Sequence, residues 1–117
     1  MDFCVDAYDV YLDSILLNLF SNAIKYRQEH LPLTISVKCG FSEGYKWFSI
    51  TDNGLGIDLD LFGSKLFGMF QTFHQQPQSK GVGLFILKNQ VEALQGKVEV
   101  ESVVGRGTTF TIYLPEL

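Results

Sequence analysis

Leu12-Asp-Ser-Ile-Leu-Leu-Asn-Leu-Phe-Ser-Asn-Ala-Ile-Lys25 is the stretch on which the fold turns. Leu12, Ile15, Leu16, Leu19, Ala23 and Ile24 return at three- and four-residue spacing, the pattern of an amphipathic α-helix. Asp6 or Asp9 offers a side-chain oxygen to cap its start. The helix is predicted to run to about Arg27 and to end before Pro32. Its apolar stripe requires a second layer to pack against.

The rest of the chain supplies that layer. Leu33 to Phe41 alternates, with Ile35 and Val37 on one face, and Tyr45 to Asp52 alternates with Phe48 and Ile50. Ser42-Glu-Gly44 is short enough to make the pair a hairpin. Asn53-Gly-Leu-Gly56 and an apolar segment from Leu59 to Phe70 follow. Thr72 to Lys80 is polar, contains Pro77 and offers little to anchor a core, so it reads as a loop. Gly81 to Leu94 is predicted as a second helix, with Gly96 as its C-terminal cap. Lys97 to Val104 and Thr108 to Leu114 are two further strands, joined at Gly105-Arg-Gly107. A short opening strand is predicted over Asp2 to Val5. The expected fold class is α/β, an α+β two-layer sandwich over residues 1–117 as one domain. Its helices lie on one face of a mixed, mainly antiparallel sheet.

Composition sets limits on function. The 117 residues are 46% hydrophobic and 19% charged, an ordinary globular balance with enough chain for one core. The net charge is −4, and no two Lys or Arg residues are adjacent. A surface that tracks phosphodiester backbones needs a basic patch, so no nucleic-acid partner is expected. No apolar stretch reaches the ~18–20 residues that span a bilayer, and Met1-Asp-Phe-Cys4 lacks the features of a signal peptide. No direct membrane contact by this domain is expected. Cys4 and Cys39 are too few for a disulfide scaffold and fit small core positions in a reducing, cytoplasmic setting.

Three features carry chemistry. Asn18, Asn22 and Lys25 fall within an arc of about 60° beside the apolar stripe of the first helix. That row is either a solvated edge, or carbonyl oxygens for a hard cation beside one ammonium for phosphate. Asp52 has the parity of Phe48 and Ile50 and so points to the buried face, where a carboxylate needs hydrogen-bond donors. An adenine amino group is one such donor. Gly54 and Gly56 after it either form a tight turn or let backbone approach a flat base. Ser79-Lys-Gly-Val-Gly-Leu84 opens the second helix, where free N–H groups suit an anion; a flexible loop-to-helix junction is the competing reading.

In order along the chain, these segments resemble the motifs of sensor histidine kinases in the GHKL ATPase superfamily. Leu17-Asn-Leu-Phe-Ser-Asn-Ala-Ile-Lys-Tyr26 looks like their N box and Asp52-Asn-Gly-Leu-Gly56 like their first glycine box. Leu66-Phe-Gly-Met-Phe70 is similar to the F box and Lys80-Gly-Val-Gly-Leu84 to the second glycine box. Gly105-Arg-Gly-Thr-Thr-Phe110 is similar to the closing strand motif.

The resemblance implies a domain that binds ATP with Mg²⁺ and phosphorylates a histidine on a separate dimerisation domain of the same parent, which then serves a response regulator. It implies that Asn22 coordinates Mg²⁺, that Asn18 lies near the transferring phosphate and that Lys25 contacts phosphate; these three form the catalytic set. Tyr26 packs on adenine, Asp52 accepts its amino hydrogen bond, and Gly54 and Gly56 shape that end. Thr108 supports it through water. Thr72 to Lys80 becomes a lid over ATP, and Gly81 and Gly83 hold phosphate. Ile57, Phe70, Lys80, Val82 and Leu84 complete the ATP-binding set.

The sequence also departs from the family. Thr72 stands where an arginine commonly reaches the γ-phosphate, and Ser79-Lys80-Gly81 replaces the usual Gly-Thr-Gly. Lys80 is a candidate to replace the missing positive charge. His30 and His74 lack an H-box context and read as surface histidines, which leaves the phosphoacceptor outside this chain. The alternatives are a degenerate nucleotide-binding or docking module and a GHKL-type anti-sigma serine kinase.

Overall fold

The computed structural model describes residues 9–62 and 83–115. The predicted opening strand, the F box with Phe70, the lid with Thr72 and Ser79, and the positions Lys80, Gly81 and Val82 lie outside the described residues.

The elements are α1 (Asp9–Lys25), β1 (Ile35–Ser42), β2 (Tyr45–Asp52), α2 (Leu59–Phe62), α3 (Gly83–Ala93), β3 (Lys97–Val103) and β4 (Gly107–Pro115). The four strands form one sheet in the order β1-β2-β4-β3, and all three pairings are antiparallel. The sheet expected to be mixed is therefore purely antiparallel among the described residues.

Period-2 burial on β2 and β4 builds the floor of the core. Phe48 and Ile50 face the helices from β2, and Phe110, Ile112 and Leu114 do so from β4. The register brings Phe48 against Ile112 and Ile50 against Phe110, so the large side chains meet in two adjacent rows. Leu12, Ile15 and Leu19 from α1 close the core with Leu84, Leu87 and Val91 from α3. Full burial of such a side chain stabilises by about 1.5–3 kcal/mol, so this cluster dominates the folding energy.

Two apolar expectations fail for geometric reasons. Ile24 is 51% exposed, because nine residues of helix place it about 180° from Ile15. Val37 is 44% exposed although its parity points inward, because β1 is an edge strand and the helix layer packs over β2, β4 and β3.

The end of α3 also differs from expectation. The N–H of Gln95 donates to Glu92 O and that of Gly96 to Val91 O, both at 2.9 Å, a Schellman pair. Its left-handed residue is Gln95, with φ of 64°, and not Gly96. Gly96 is needed for another reason. A Cβ there would lie 2.2 Å from the Tyr113 carbonyl oxygen on β4, so the missing side chain lets the chain turn tightly into β3.

Candidate nucleotide-binding site

The sheet ends in a polar row on its helix-facing side. Asp52 closes β2, Thr108 lies opposite it at the start of β4, and Ser102 lies opposite Thr108 on β3. Each continues the inward parity of its strand, after Ile50, before Phe110 and after Val100 respectively. Apolar residues fill the same rows further along, so these three mark the place where the core stops and a polar site begins.

Asp52 is half-buried, and its Oδ1 accepts two backbone N–H groups, from Gly54 at 2.8 Å and Thr108 at 3.3 Å. Burial raises the Asp52 pKa above its ordinary 3.8, against the lowering effect of these two donors. Beside it, the Ser102 and Thr108 hydroxyls lie 2.7 Å apart. Ser102 Oγ also accepts the Ile57 N–H at 2.7 Å and can donate to Gly107 O at 2.9 Å. The hydroxyl pair thereby ties the loop after β2 to the β3–β4 hairpin.

That loop is held to the residue after α1 as well. The Leu55 N–H donates to Tyr26 O at 2.9 Å, and the Gly105 N–H donates to Leu55 O at 2.8 Å. A Cβ on Gly54 would stand 2.7 Å from Tyr26 O, and one on Gly56 would stand 2.2 Å from Val103 O. Gly56 in addition has φ of 76°, which side-chain-bearing residues rarely adopt. Both glycines are thus required by the protein's own backbone packing. Asn53, within the same motif, clamps the approach to β1: its Nδ2 donates to Pro32 O and its Oδ1 accepts the Thr34 N–H.

These elements enclose a hollow of about 20 Å³, lined by Asn22 from α1, Tyr26 just after it, Asp52 from β2, Gly56 and Ile57 from the loop, and by Leu84 and Thr108 among others. That is room for roughly one water, well below the ~300 Å³ of a small-molecule pocket. A larger cleft of about 740 Å³ lies beside the end of α1, between Ser21, Lys25, Arg27, His30 and Leu55. Its lining is mostly exposed and holds none of the polar row, so volume is a poor guide here and the chemistry of the lining is the better one.

The helix row divides between the two. Asn22 is half-buried and faces the hollow, while Lys25 is exposed and borders the larger cleft. Asn18, half-buried one turn earlier, lines neither. Of the expected site, the fold gathers Asn22, Tyr26, Asp52, Gly56, Ile57, Leu84 and Thr108 around one point, with Gly54 hydrogen-bonded to Asp52. Gln28 and Ser102 are structural members of this region that sequence reading passed over. Ser102 had a signal, a polar residue at the inward parity of Val98 and Val100. Gln28 had none, since it sits among other polar residues after the helix.

The family model for histidine kinase-, DNA gyrase B- and HSP90-like ATPases matches residues 8–117. The chain belongs to that family. Cyanobacterial phytochrome A of Nostoc is 37% identical over 113 residues, covering 95% of this chain and 14% of the relative. The autoinducer 2 sensor kinase/phosphatase LuxQ of Vibrio harveyi is 38% identical over 116 residues, covering 91% and 13%. Sensor histidine kinase WalK of Bacillus subtilis is 31% identical over 107 residues, covering 89% and 18%. This chain therefore spans between 13% and 18% of the length of these three relatives.

Solved structures agree. The mycobacterial sensor histidine kinase MprB superposes with a TM-score of 0.78 at 25% identity, covering 91% of this chain and 72% of that one. Full-length ShkA, solved in complex with AMPPNP, gives 0.74 at 28% identity, covering 90% and 21%. The chain is an ATPase-type domain of the sensor histidine kinase kind, with the expected two-layer α/β fold. Among the described residues no helix is long and apolar enough to cross a membrane.

Proposed function

We propose that this domain binds Mg-ATP with the adenine edge at the hollow beside Asp52 and the rest of the nucleotide outside it, and donates the γ-phosphoryl group to a histidine on a separate dimerisation domain of its parent, for relay to a response regulator. One observation carries the reading: a half-buried carboxylate, already holding two backbone donors, faces the same small space as Asn22, Tyr26, Gly56 and Thr108. In it, Asp52 accepts from the adenine amino group, Tyr26 packs on the ring, and Thr108 supports the base through water. Gly54 and Gly56 let the loop fold tightly enough to present Asp52.

The donor set suits Mg²⁺ only in company. No group of three or more His, Cys, Asp or Glu side chains stands ready for a metal among the described residues. Mg²⁺ normally takes one or two protein oxygens, several waters and substrate phosphates, and the Asn22 amide carbonyl fits that part. Bound there, the ion would neutralise phosphate charge. Asn18 and Lys25 would steady the phosphate end, and Gly81, Val82 and Gly83 would present backbone N–H groups to it. Transfer then needs positioning and little covalent chemistry from this chain: the acceptor imidazole nitrogen bonds to the γ-phosphorus as the bond to the bridging oxygen of ADP breaks.

Calorimetric titration with ADP and with a non-hydrolysable ATP analogue, with and without Mg²⁺, tests the reading. Binding by the wild-type chain that weakens markedly in Asp52→Asn supports it, and equal behaviour of the two proteins sinks it. A second reading, a nucleotide-binding module without kinase activity, is favoured by Thr72 in place of the family's usual arginine and by Ser79-Lys80 in place of its usual Gly-Thr. Phosphorylation of an added histidine-bearing dimerisation domain separates the two.

A further inference from the structure

The hydrogen bonds around Asp52 are anchored from an unexpected place. Gln28 lies three residues beyond the end of α1, yet it is only 9% exposed. Its Nε2 amide is directed at three backbone carbonyls: Gly54 O at 3.0 Å, Asn53 O at 3.1 Å and Gly105 O at 3.1 Å. Two amide hydrogens shared among three acceptors form a bifurcated clamp, buried at the Gly54 contact. The carbonyls belong to the two segments whose N–H groups hold Asp52, the loop carrying Gly54 and the turn that leads into Thr108.

We infer that Gln28 is a positioning residue for base recognition, fixing the two backbone donors that orient the Asp52 carboxylate. It touches no reacting atom. Gln28 also couples the two ends of the site, because it lies two residues beyond Tyr26 and three beyond Lys25, the last residue of the helix that carries Asn22. The Tyr26 carbonyl makes a parallel tie to the Leu55 N–H, so the end of α1 and the Asp52 loop are held as one piece. Removal of the Gln28 amide leaves the buried Gly54 carbonyl and two part-buried carbonyls without this donor and lets the loop shift relative to β4. This inference rests on the proposal that Asp52 reads the adenine amino group.

The test compares ADP with GDP, because guanine carries a carbonyl oxygen where adenine carries the amino group. Both nucleotides are titrated into wild-type chain and into Gln28→Ala. The wild type is expected to prefer ADP, and the variant to lose that preference by about tenfold, which corresponds to roughly 1.4 kcal/mol. General destabilisation would weaken both nucleotides by the same factor, so an unchanged ADP-to-GDP ratio overturns the inference. Failure of the wild type to bind either nucleotide overturns the adenine reading itself, and this inference with it. If Gln28→Ala does not fold, the side-chain amide of Gln28 is followed by NMR in the wild type. A shift on adding ADP that pyrophosphate does not reproduce supports the inference; an amide unmoved by ADP overturns it.

Discussion

The two ends of the proposed site are built differently. At the base end, Asp52, Thr108, Ser102 and Gln28 are cross-braced by hydrogen bonds among the segment after α1, the loop after β2, and the β3–β4 hairpin. At the phosphate end, no side-chain hydrogen bond holds Asn18, Asn22 or Lys25 among the described residues, and Lys25 stands in solvent. In the proposed site, a braced carboxylate would select a base by geometry that exists before the ligand arrives. The two amides and one ammonium of the other end would need phosphate and metal to complete them, so affinity there would come from charge and order from the ligand.

The comparison breaks most visibly if the brace is not rigid. Gly56→Ala puts a Cβ against the Val103 carbonyl in a backbone conformation alanine avoids. Thermal or denaturant unfolding should show a loss of about 2–4 kcal/mol. A loss within experimental error would mean that the loop adapts and is not braced.

Asp52→Asn is the next largest effect and separates recognition from stability. Asparagine keeps an oxygen for the Gly54 and Thr108 N–H groups but offers the adenine amino group an NH₂ where it needs an acceptor. ADP affinity should fall by about 10–100-fold, or roughly 1.5–3 kcal/mol. Stability should not fall with it. The folded-state pKa of Asp52 lies above the 3.8 of the unfolded chain, so its ionisation opposes folding above that raised value. This penalty is relieved as pH drops through the raised pKa toward 3.8. At neutral pH, Asp52→Asn should therefore unfold at least as high as wild type, and the difference should vanish as the pH falls through that window.

Asn22→Ala probes the open end. The Mg²⁺ dependence of nucleotide binding should disappear, while ADP binding without Mg²⁺ changes by less than about threefold and unfolding stays within about 0.5 kcal/mol. Loss of metal-free binding as well would show that Asn22 belongs to the base end. The smallest effect lies outside both ends. Gln95→Gly relieves a left-handed φ at the end of α3 and should stabilise by about 0.5–1 kcal/mol without altering nucleotide affinity.

Much of this is legible in the sequence alone. The alternation of Phe48 and Ile50 and its continuation to Asp52 marked the carboxylate as inward-facing, because side-chain parity in a strand is a local property. The helix over Leu12 to Lys25 was legible for the same reason. The failures were long-range. Ile24 and Val37 look apolar and periodic, but their exposure depends on which face meets α3 and which strand ends the sheet. Sequence places the helix cap at Gly96, whereas close approach to Tyr113 claims that glycine and leaves the left-handed position to Gln95. Gln28 was invisible because its three acceptors lie 25, 26 and 77 residues away in sequence.

The sequence by itself determined α1, α3 and the four strands, the family and the residue types of the candidate site, since periodicity and motif order are written into neighbouring positions. Only the tertiary structure decided how they meet. Strand order β1-β2-β4-β3 sets Asp52 opposite Thr108 and leaves β1 at an edge, and packing at the end of α1 brings Gln28 under the loop. Those outcomes follow from burying one apolar face of α1 and α3 on the centre of the sheet, a condition that no local segment contains.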